Sequence, residues 1–123
     1  MFNGGELEKA LTDYAVELGG VEEKIQHPKN KYKKLRVFRQ KRDGAEGEAD
    51  AGRIFLIIHD GADPLVIDFF VHPEIQKKMI ERYETANKSD LIDKKRAVQL
   101  VLTDQFPIED LKSFILQSLN QSE

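Results

Sequence analysis

Cysteine and tryptophan are both absent from the 123 residues of this chain. The lack of cysteine excludes disulfides, thiolate metal sites, iron–sulfur clusters and cysteine nucleophiles. Long apolar runs are absent too: the longest, Ile54–Ile58, is far shorter than the roughly 20 residues that a membrane-spanning helix needs. The start of the sequence lacks the basic region and apolar run of a signal peptide. Together these absences favour a cytoplasmic protein.

The charge of the chain is unevenly distributed. Residues 24–42 contain nine of the 19 lysine and arginine residues and no acid. The other residues carry ten bases against 22 acids, so one basic segment lies on an acidic body. The overall pI near 5.7 argues against a bulk polycation such as a chromatin protein. We therefore expect any anionic partner to bind the basic segment.

Apolar residues at helical spacing predict three helices, at residues 7–18, 75–83 and 108–119. Pro73 and Pro107 stand where the first turn of a helix tolerates a missing N–H. The predicted core is the set of apolar residues with suitable spacing: Leu7, Leu11, Tyr14, Leu18, Ile54, Leu56, Ile67, Phe69, Ile75, Met79, Leu100, Leu102, Leu111 and Ile115.

Between the helices, strands are predicted at residues 32–39, 53–58, 65–71 and 98–102, with residues 87–96 left ambiguous. Residues 43–52 are acidic and rich in Gly and Ala, which predicts a mobile hairpin loop. The order is therefore α-β-β-β-α-(β)-β-α. A two-layer α+β fold, with a mainly antiparallel sheet and the helices on one face, buries such elements economically. The length of the chain and its 40% hydrophobic content fit a single domain over residues 1–123.

Five segments occur in the order found in MmcQ/YjbR-like proteins, which are small bacterial domains often labelled DNA-binding. These segments are residues 7–11, 18–23, 52–57, 69–74 and 106–115. Residues 18–23 resemble the exit of that family's first helix, and residues 69–74 resemble its strand leading into a Pro-Glu helix. The chain departs from the pattern in having no tryptophan before the last strand and no lysine after the third strand. The resemblance implies an α-β3-α-β2-α arrangement similar to YjbR and secretion-chaperone folds.

The basic segment supplies the candidate binding site. Side chains alternate between the faces of a strand, so one face of residues 32–42 interleaves cations with aromatics. This composition is typical of surfaces that bind phosphates and stack bases. We expect Leu35 and Val37 on the other face to point to the core. With an extension from a second basic segment, the candidate nucleic-acid-binding residues are Tyr32, Lys34, Arg36, Phe38, Arg42, Lys94, Lys95 and Arg96.

Two further interpretations of this segment stay open. Its lysines could simply solvate an exposed sheet face and block edge-to-edge pairing. Alternatively, the sheet or its edge could hold a protein partner, as in a chaperone-like adaptor, and that partner could be a second copy in a weak homodimer.

No catalytic or metal site is predicted. His59, Asp60, Asp63 and His72 lie close in sequence but match no recognised zinc spacing, and their contexts are ordinary turn and helix-start chemistry. No serine lies in a Gly-x-Ser-x-Gly elbow, and neither glycine pair has the ending of a phosphate loop. The sequence therefore predicts a binding module without enzymatic activity, cofactor or metal.

Overall fold

The computed structural model of the chain describes residues 4–27, 29–40, 54–61, 64–89, 91, 93–102 and 107–121. Within these ranges the elements follow in the order α1 (Gly4–Glu17), β1 (Gly20–His27), β2 (Asn30–Gln40), β3 (Ile54–His59), β4 (Leu65–Phe70), α2 (Pro73–Arg82), β5 (Ala86–Ser89), β6 (Asp93–Leu102) and α3 (Ile108–Gln121). The loop predicted at residues 43–52 lies outside the described residues. None of the helices in the described ranges is long and apolar enough to cross a membrane.

The six strands form one sheet in the order β1-β2-β3-β4-β6-β5, and each pairing among them is antiparallel. Strands β1 to β4 form a meander of successive neighbours. Helix α2 then carries the chain past the place of β6 to β5, and β6 returns between β5 and β4. This arrangement confirms the predicted α+β class with its antiparallel sheet.

One face of the sheet packs against the helices and holds the main core. Val98, Leu100 and Leu102 of β6 lie in it, with Leu111 and Ile115 of α3. Most residues of the predicted core are buried there, and Leu7, Tyr14 and Leu18 pack against it partly buried. The prediction for Ile75 is wrong, because this side chain is 38% exposed.

The exposure of Ile75 follows from the orientation of α2. This helix turns Gln76 and Met79 inward, and Gln76 Nε2 donates a hydrogen bond to the carbonyl of Ala97 at 2.8 Å. A buried amide satisfied by a strand carbonyl thus takes the inward position that hydrophobic spacing had given to Ile75.

A β-bulge in β3 explains why its residues do not alternate. The register of β2 with β3 shifts between Phe38 and Arg39, which pair with Leu56 and Ile54, so Phe55 is the extra residue. As a result Phe55 and Leu56 both lie in the main core, whereas Ile54 and Ile57 pack on the opposite face. We call that opposite face, away from the helices, the outer face.

Strand β1 was not predicted from the sequence. Gly19, with φ of +91°, turns the chain out of α1, and Gly20 then passes close to Ala15 and Phe55. A Cβ at position 20 would lie 2.8 Å from the Ala15 carbonyl oxygen, so the close approach of β1 to α1 requires glycine.

Candidate binding surface on the β1–β2 hairpin

The basic segment lies on β1 and β2, but its central arginine is already paired. Arg36 lies 3.2 Å from a carboxylate oxygen of Glu8 on α1, 3.2 Å from Glu22 on β1 and 3.5 Å from Asp60 after β3. The Glu8 contact is an ion pair without hydrogen-bond alignment, since Arg36 Nε has no aligned acceptor. Glu8 also accepts a hydrogen bond from the backbone N–H of Gly61 at 3.1 Å. Arg36 therefore links α1, β1 and the β3–β4 turn through ion pairs, and these carboxylates neutralise its charge within the fold.

The prediction that Phe38 faces solvent is wrong. Its side chain is fully buried, at 0% exposure, and lies in the main core. Phe38 pairs with Leu56, which pairs with Phe69, so the whole row faces the helices. Leu35 and Val37 are buried as expected, but they do not face the main core: with Ile57 they form a smaller cluster on the outer face.

The sequence assigned the wrong face because β2 is apolar on both faces. Among the described side chains of β2, Phe38 lies in the main core, whereas Leu35 and Val37 pack on the outer face. Alternation fixes which residues share a face but does not say which face meets the helices.

The second basic segment does not extend the first. Arg36 pairs with Ile58, Ile58 with Ile67, and Ile67 with Leu100, so the row of Arg36 reaches β6 four positions from Arg96. Strands β3 and β4 also separate β2 from β6. Arg96 lies instead over the ring of Phe70, 5.9 Å from its centroid. The structure does not bring the two basic segments together.

Of the other candidate residues, Tyr32 is on β2, Lys94 and Lys95 are on β6, and Arg42 lies outside the described residues. Lys34 is exposed as predicted. Lys29 and Lys33 are exposed beside it, near the turn between β1 and β2. This turn is where exposed positive charge concentrates within the described part of the hairpin.

Strand β1 forms an edge of the sheet. Its eight residues contain no proline, and the six between Gly20 and His27 are all exposed. Val21 is 50% exposed and Ile25 is 37% exposed; they share the outer face with Glu23, whose carboxylate lies 3.4 Å from Arg39 Nε. On the other face, Lys24 Nζ lies 3.9 Å from Asp60. A long edge strand of this kind presents backbone N–H and C=O groups to an incoming strand.

A buried polar cluster lies on the outer face, centred on Asp68 of β4. Asp68 is fully buried within β4; it accepts a hydrogen bond from Ser89 Oγ at 3.0 Å and lies 3.3 Å from His59 Nε2. The ring of His27 stands 5.9 Å from that of His59, at a tilted angle. Burial lowers the pKa of His27, and the neighbouring His59 and Lys33 lower it further. Asp68 thus lies between Ser89 and His59, and the hydroxyl of Ser89 contacts its carboxylate rather than the imidazole.

The histidines and carboxylates considered for a metal site serve other purposes. His59 contacts Asp68, Asp60 faces Arg36, and His72 Nδ1 accepts a hydrogen bond from the N–H of Glu74 at the start of α2. Asp63 lies outside the described residues. Among the residues that the structure describes, no group of three or more His, Cys, Asp or Glu could hold a metal ion.

Comparison with solved structures identifies a protein of the same fold. One match is protein DR2400 of Deinococcus radiodurans, a DUF419 domain, with a TM-score of 0.72 and 18% sequence identity over 91% of this chain and 75% of that one. The two proteins share a fold. The DUF419 domain has a YjbR/MmcQ-like fold, so the match supports the fold that the family resemblance implies. At this identity it carries no function to this chain. No protein-family model and no curated protein matches the sequence.

Sequence reasoning missed two parts of this surface. The alternation of Val21 and Ile25 with Glu22 and Lys24 was a signal for β1, but two apolar residues in eight are a weak one. Asp68 was detectable as the single acid inside the apolar strand Leu65–Phe70. A carboxylate in such a strand needs hydrogen-bond partners if it is buried.

Proposed function

We propose that this chain is a non-enzymatic protein-interaction module of the cytoplasm that binds an extended segment of a partner along β1. The observation that carries this proposal is the exposed, proline-free edge of the sheet with its two exposed apolar side chains, Val21 and Ile25. In β-strand addition, main-chain hydrogen bonds to such an edge provide affinity, and alternate side chains provide specificity.

The electrostatics of the edge favour a partner strand of mixed charge. Glu22 and Lys24 lie on the helix side of β1, and Glu23 lies on the outer side. Each of these side chains already faces an opposite charge within the chain. An incoming strand therefore meets a nearly neutral, ordered edge rather than a field of one sign.

A random peptide library, selected on the purified protein, tests this proposal. Selected peptides should be extended, with alternating apolar residues, and should protect the backbone amides of β1 from hydrogen exchange. Ile25→Lys should abolish their binding, because edge lysines oppose strand addition. The matched control is Ile75→Lys, since Ile75 is equally exposed but lies on α2. Peptides that bind Ile25→Lys as tightly as the wild type, or that protect another surface, would contradict the proposal.

Nucleic-acid binding is the second candidate function, favoured by one observation: Lys29, Lys33 and Lys34 are all exposed near the β1–β2 turn, where Lys33 and Lys34 lie on opposite faces of β2. Without Arg36 and Phe38, this surface relies mainly on electrostatic docking. Three phosphate contacts give a log–log slope of affinity against salt of about −2 to −3.

Titration with DNA and RNA at about 150 mM salt tests this second function. Replacing Lys33 and Lys34 together by Glu should abolish binding, whereas Lys77→Glu with Lys78→Glu, a pair of exposed lysines on α2, should not. Absence of binding at this salt concentration, for both kinds of nucleic acid, would exclude it.

A further inference from the structure

Resting on the proposed interaction along β1, we propose that the strand added there is β1 of a second copy of this chain. A twofold axis perpendicular to the sheet relates the two copies, and it passes midway between their two Glu23 residues. The resulting dimer has one continuous antiparallel sheet.

Symmetry restricts the registers that such a dimer can adopt. A twofold axis perpendicular to the sheet keeps the outer faces of both copies on the same side, so paired residues must come from the same face. The axis therefore passes through a residue pair, and each register is defined by the residue at its centre.

With Glu23 at the centre, the edge of β1 is complementary to itself. Val21 of each copy faces Ile25 of the other, which buries the two exposed apolar residues of the strand in two equivalent pairs. Glu22 of each copy faces Lys24 of the other, which places opposite charges together on the helix side. Apolar pairs and opposite-charge pairs directly across strands are the favourable combinations in antiparallel sheets.

The one unfavourable pair, Glu23 against Glu23 at the axis, is compensated within each copy. Arg39 Nε lies 3.4 Å from Glu23 Oε2, so a guanidinium lies beside each carboxylate where they approach. The paired segment extends from Gly20 to Gln26, nearly the whole of β1.

Other registers lose these pairs. With Glu22 at the centre, Val21 faces Glu23; with Lys24 at the centre, two lysines meet and Ile25 faces Glu23. Centring on Ile25 joins two isoleucines but pairs only Glu23 through His27 within the strand and leaves Val21 without a strand partner. The register centred on Glu23 matches both the apolar and the charged positions.

A charge-exchange experiment tests this register directly. Glu22→Lys alone sets two lysines against each other across the interface, and Lys24→Glu alone sets two glutamates against each other, so each variant should dimerise more weakly than the wild type. Mixing the two variants restores two opposite-charge pairs. We expect sedimentation equilibrium to give a dissociation constant for the mixed dimer about tenfold below that of either variant alone. Each substitution also disturbs Arg36 or Asp60 within its own copy. This disturbance is the same in the variant's own dimer and in the mixed dimer, so it cancels when their dissociation constants are compared.

Cross-linking at the axis provides a second measurement. Because the chain has no cysteine, Glu23→Cys introduces a single thiol. Directly opposed residues of antiparallel strands have Cα atoms about 4.5–5.5 Å apart, within the range that a disulfide spans. Mild oxidation should link Glu23→Cys into dimers and leave Ile75→Cys, exposed on α2, monomeric.

The outcomes separate this inference from the proposed function. A wild type that stays monomeric at every concentration, or a mixture no tighter than its components, overturns the dimer. If peptides sensitive to Ile25→Lys are still selected in that case, the interaction along β1 stands with another partner. If neither dimer nor peptide binding occurs, both proposals fail.

Discussion

The hydroxyl of Ser118 on α3 accepts a hydrogen bond of 2.7 Å from the backbone N–H of Phe70 at the end of β4. The same hydroxyl donates to the carbonyl of Phe55, the extra residue of the bulge in β3. The described pairing of β3 with β4 runs from Leu56 to Ile58, so these two backbone groups lie just where it ends. A helix side chain thus replaces the missing bridge between the two strands.

We expect Ser118→Ala to lower the free energy of unfolding by about 1–3 kcal/mol, because a buried carbonyl and a partly buried amide lose their partner. Ser113→Ala on the same helix is the control, since Ser113 is exposed and accepts only a side-chain hydrogen bond from Gln117 among the contacts seen. Urea denaturation of both variants measures the difference. Equal stability would show that water replaces the hydroxyl.

Phe38→Ala should destabilise the fold by about 3–5 kcal/mol, the usual cost of removing a buried phenylalanine ring. The position was predicted to be a base-stacking residue, for which the same substitution would leave stability unchanged. Thermal denaturation followed by circular dichroism distinguishes the two roles. A melting temperature close to that of the wild type would contradict the buried position.

Arg36→Ala should lower the free energy of unfolding by about 1–3 kcal/mol, because Glu8, Glu22 and Asp60 then face one another without the guanidinium. Lys34→Ala is the control, since Lys34 is an exposed neighbour on the same strand. If the loss arises from repulsion among the carboxylates, added salt should reduce it. Equal stability of the two variants would contradict a structural role for Arg36.

Gly20→Ala should destabilise the chain by about 1–3 kcal/mol, the range for inserting a methyl group into a packed site. The added Cβ would meet the Ala15 carbonyl oxygen and the Phe55 ring at less than 3.0 Å. Because backbone cannot move aside as easily as a flexible side chain, β1 must shift away from α1. Val21→Ala, at an exposed position of the same strand, should cost much less. Hydrogen exchange of the β1 amides would reveal the shift.

Acid should weaken the fold through His27. Burial lowers the pKa of this histidine below its ordinary value of 6.5, and the neighbouring His59, Lys33 and Lys29 oppose its protonation, whereas Asp68 favours it. Its Nδ1 also accepts a hydrogen bond from the N–H of Lys29 at 3.0 Å, which protonation would remove. The unfolded chain therefore binds the proton first, so this contribution to stability is complete above about pH 6.5 and is lost as the pH falls through the folded-state pKa.

His27→Gln should flatten this dependence. Its free energy of unfolding should fall less than that of the wild type between about pH 7 and pH 5. Parallel curves for the two proteins would show that His27 does not titrate differently in the folded state.

The class of the fold could be predicted because helical spacing and β-branched runs are local signals. Leu11, Met79, Leu111 and Ile115 lie in the core where their spacing placed them. The position of Phe38 could not be predicted, because β2 is apolar on both faces and only the packing of the helices decides which face is the main core. The ion pairs of Arg36 could not be predicted either, since its three carboxylate partners come from three separate parts of the chain.

Strand β1 could not be predicted either. An edge strand exposed on both faces needs few apolar residues, so it leaves little trace in the sequence. What leads the chain from α1 into β1 is the pair Gly19 and Gly20, through a positive φ and a close approach to Ala15.

The bridge made by Ser118 also has a consequence for folding during synthesis. Ser118 follows Phe55 by 63 positions, so the ribosome completes β3 and β4 long before it makes the residue that joins their ends. The strands of the meander are neighbours in sequence and can pair early, because local contacts need less loop-closure entropy than distant ones. At the bulge, however, the carbonyl of Phe55 and the amide of Phe70 must stay hydrated until α3 arrives. The meander is therefore expected to emerge with one end still open, and docking of α3 closes it as a late step of folding.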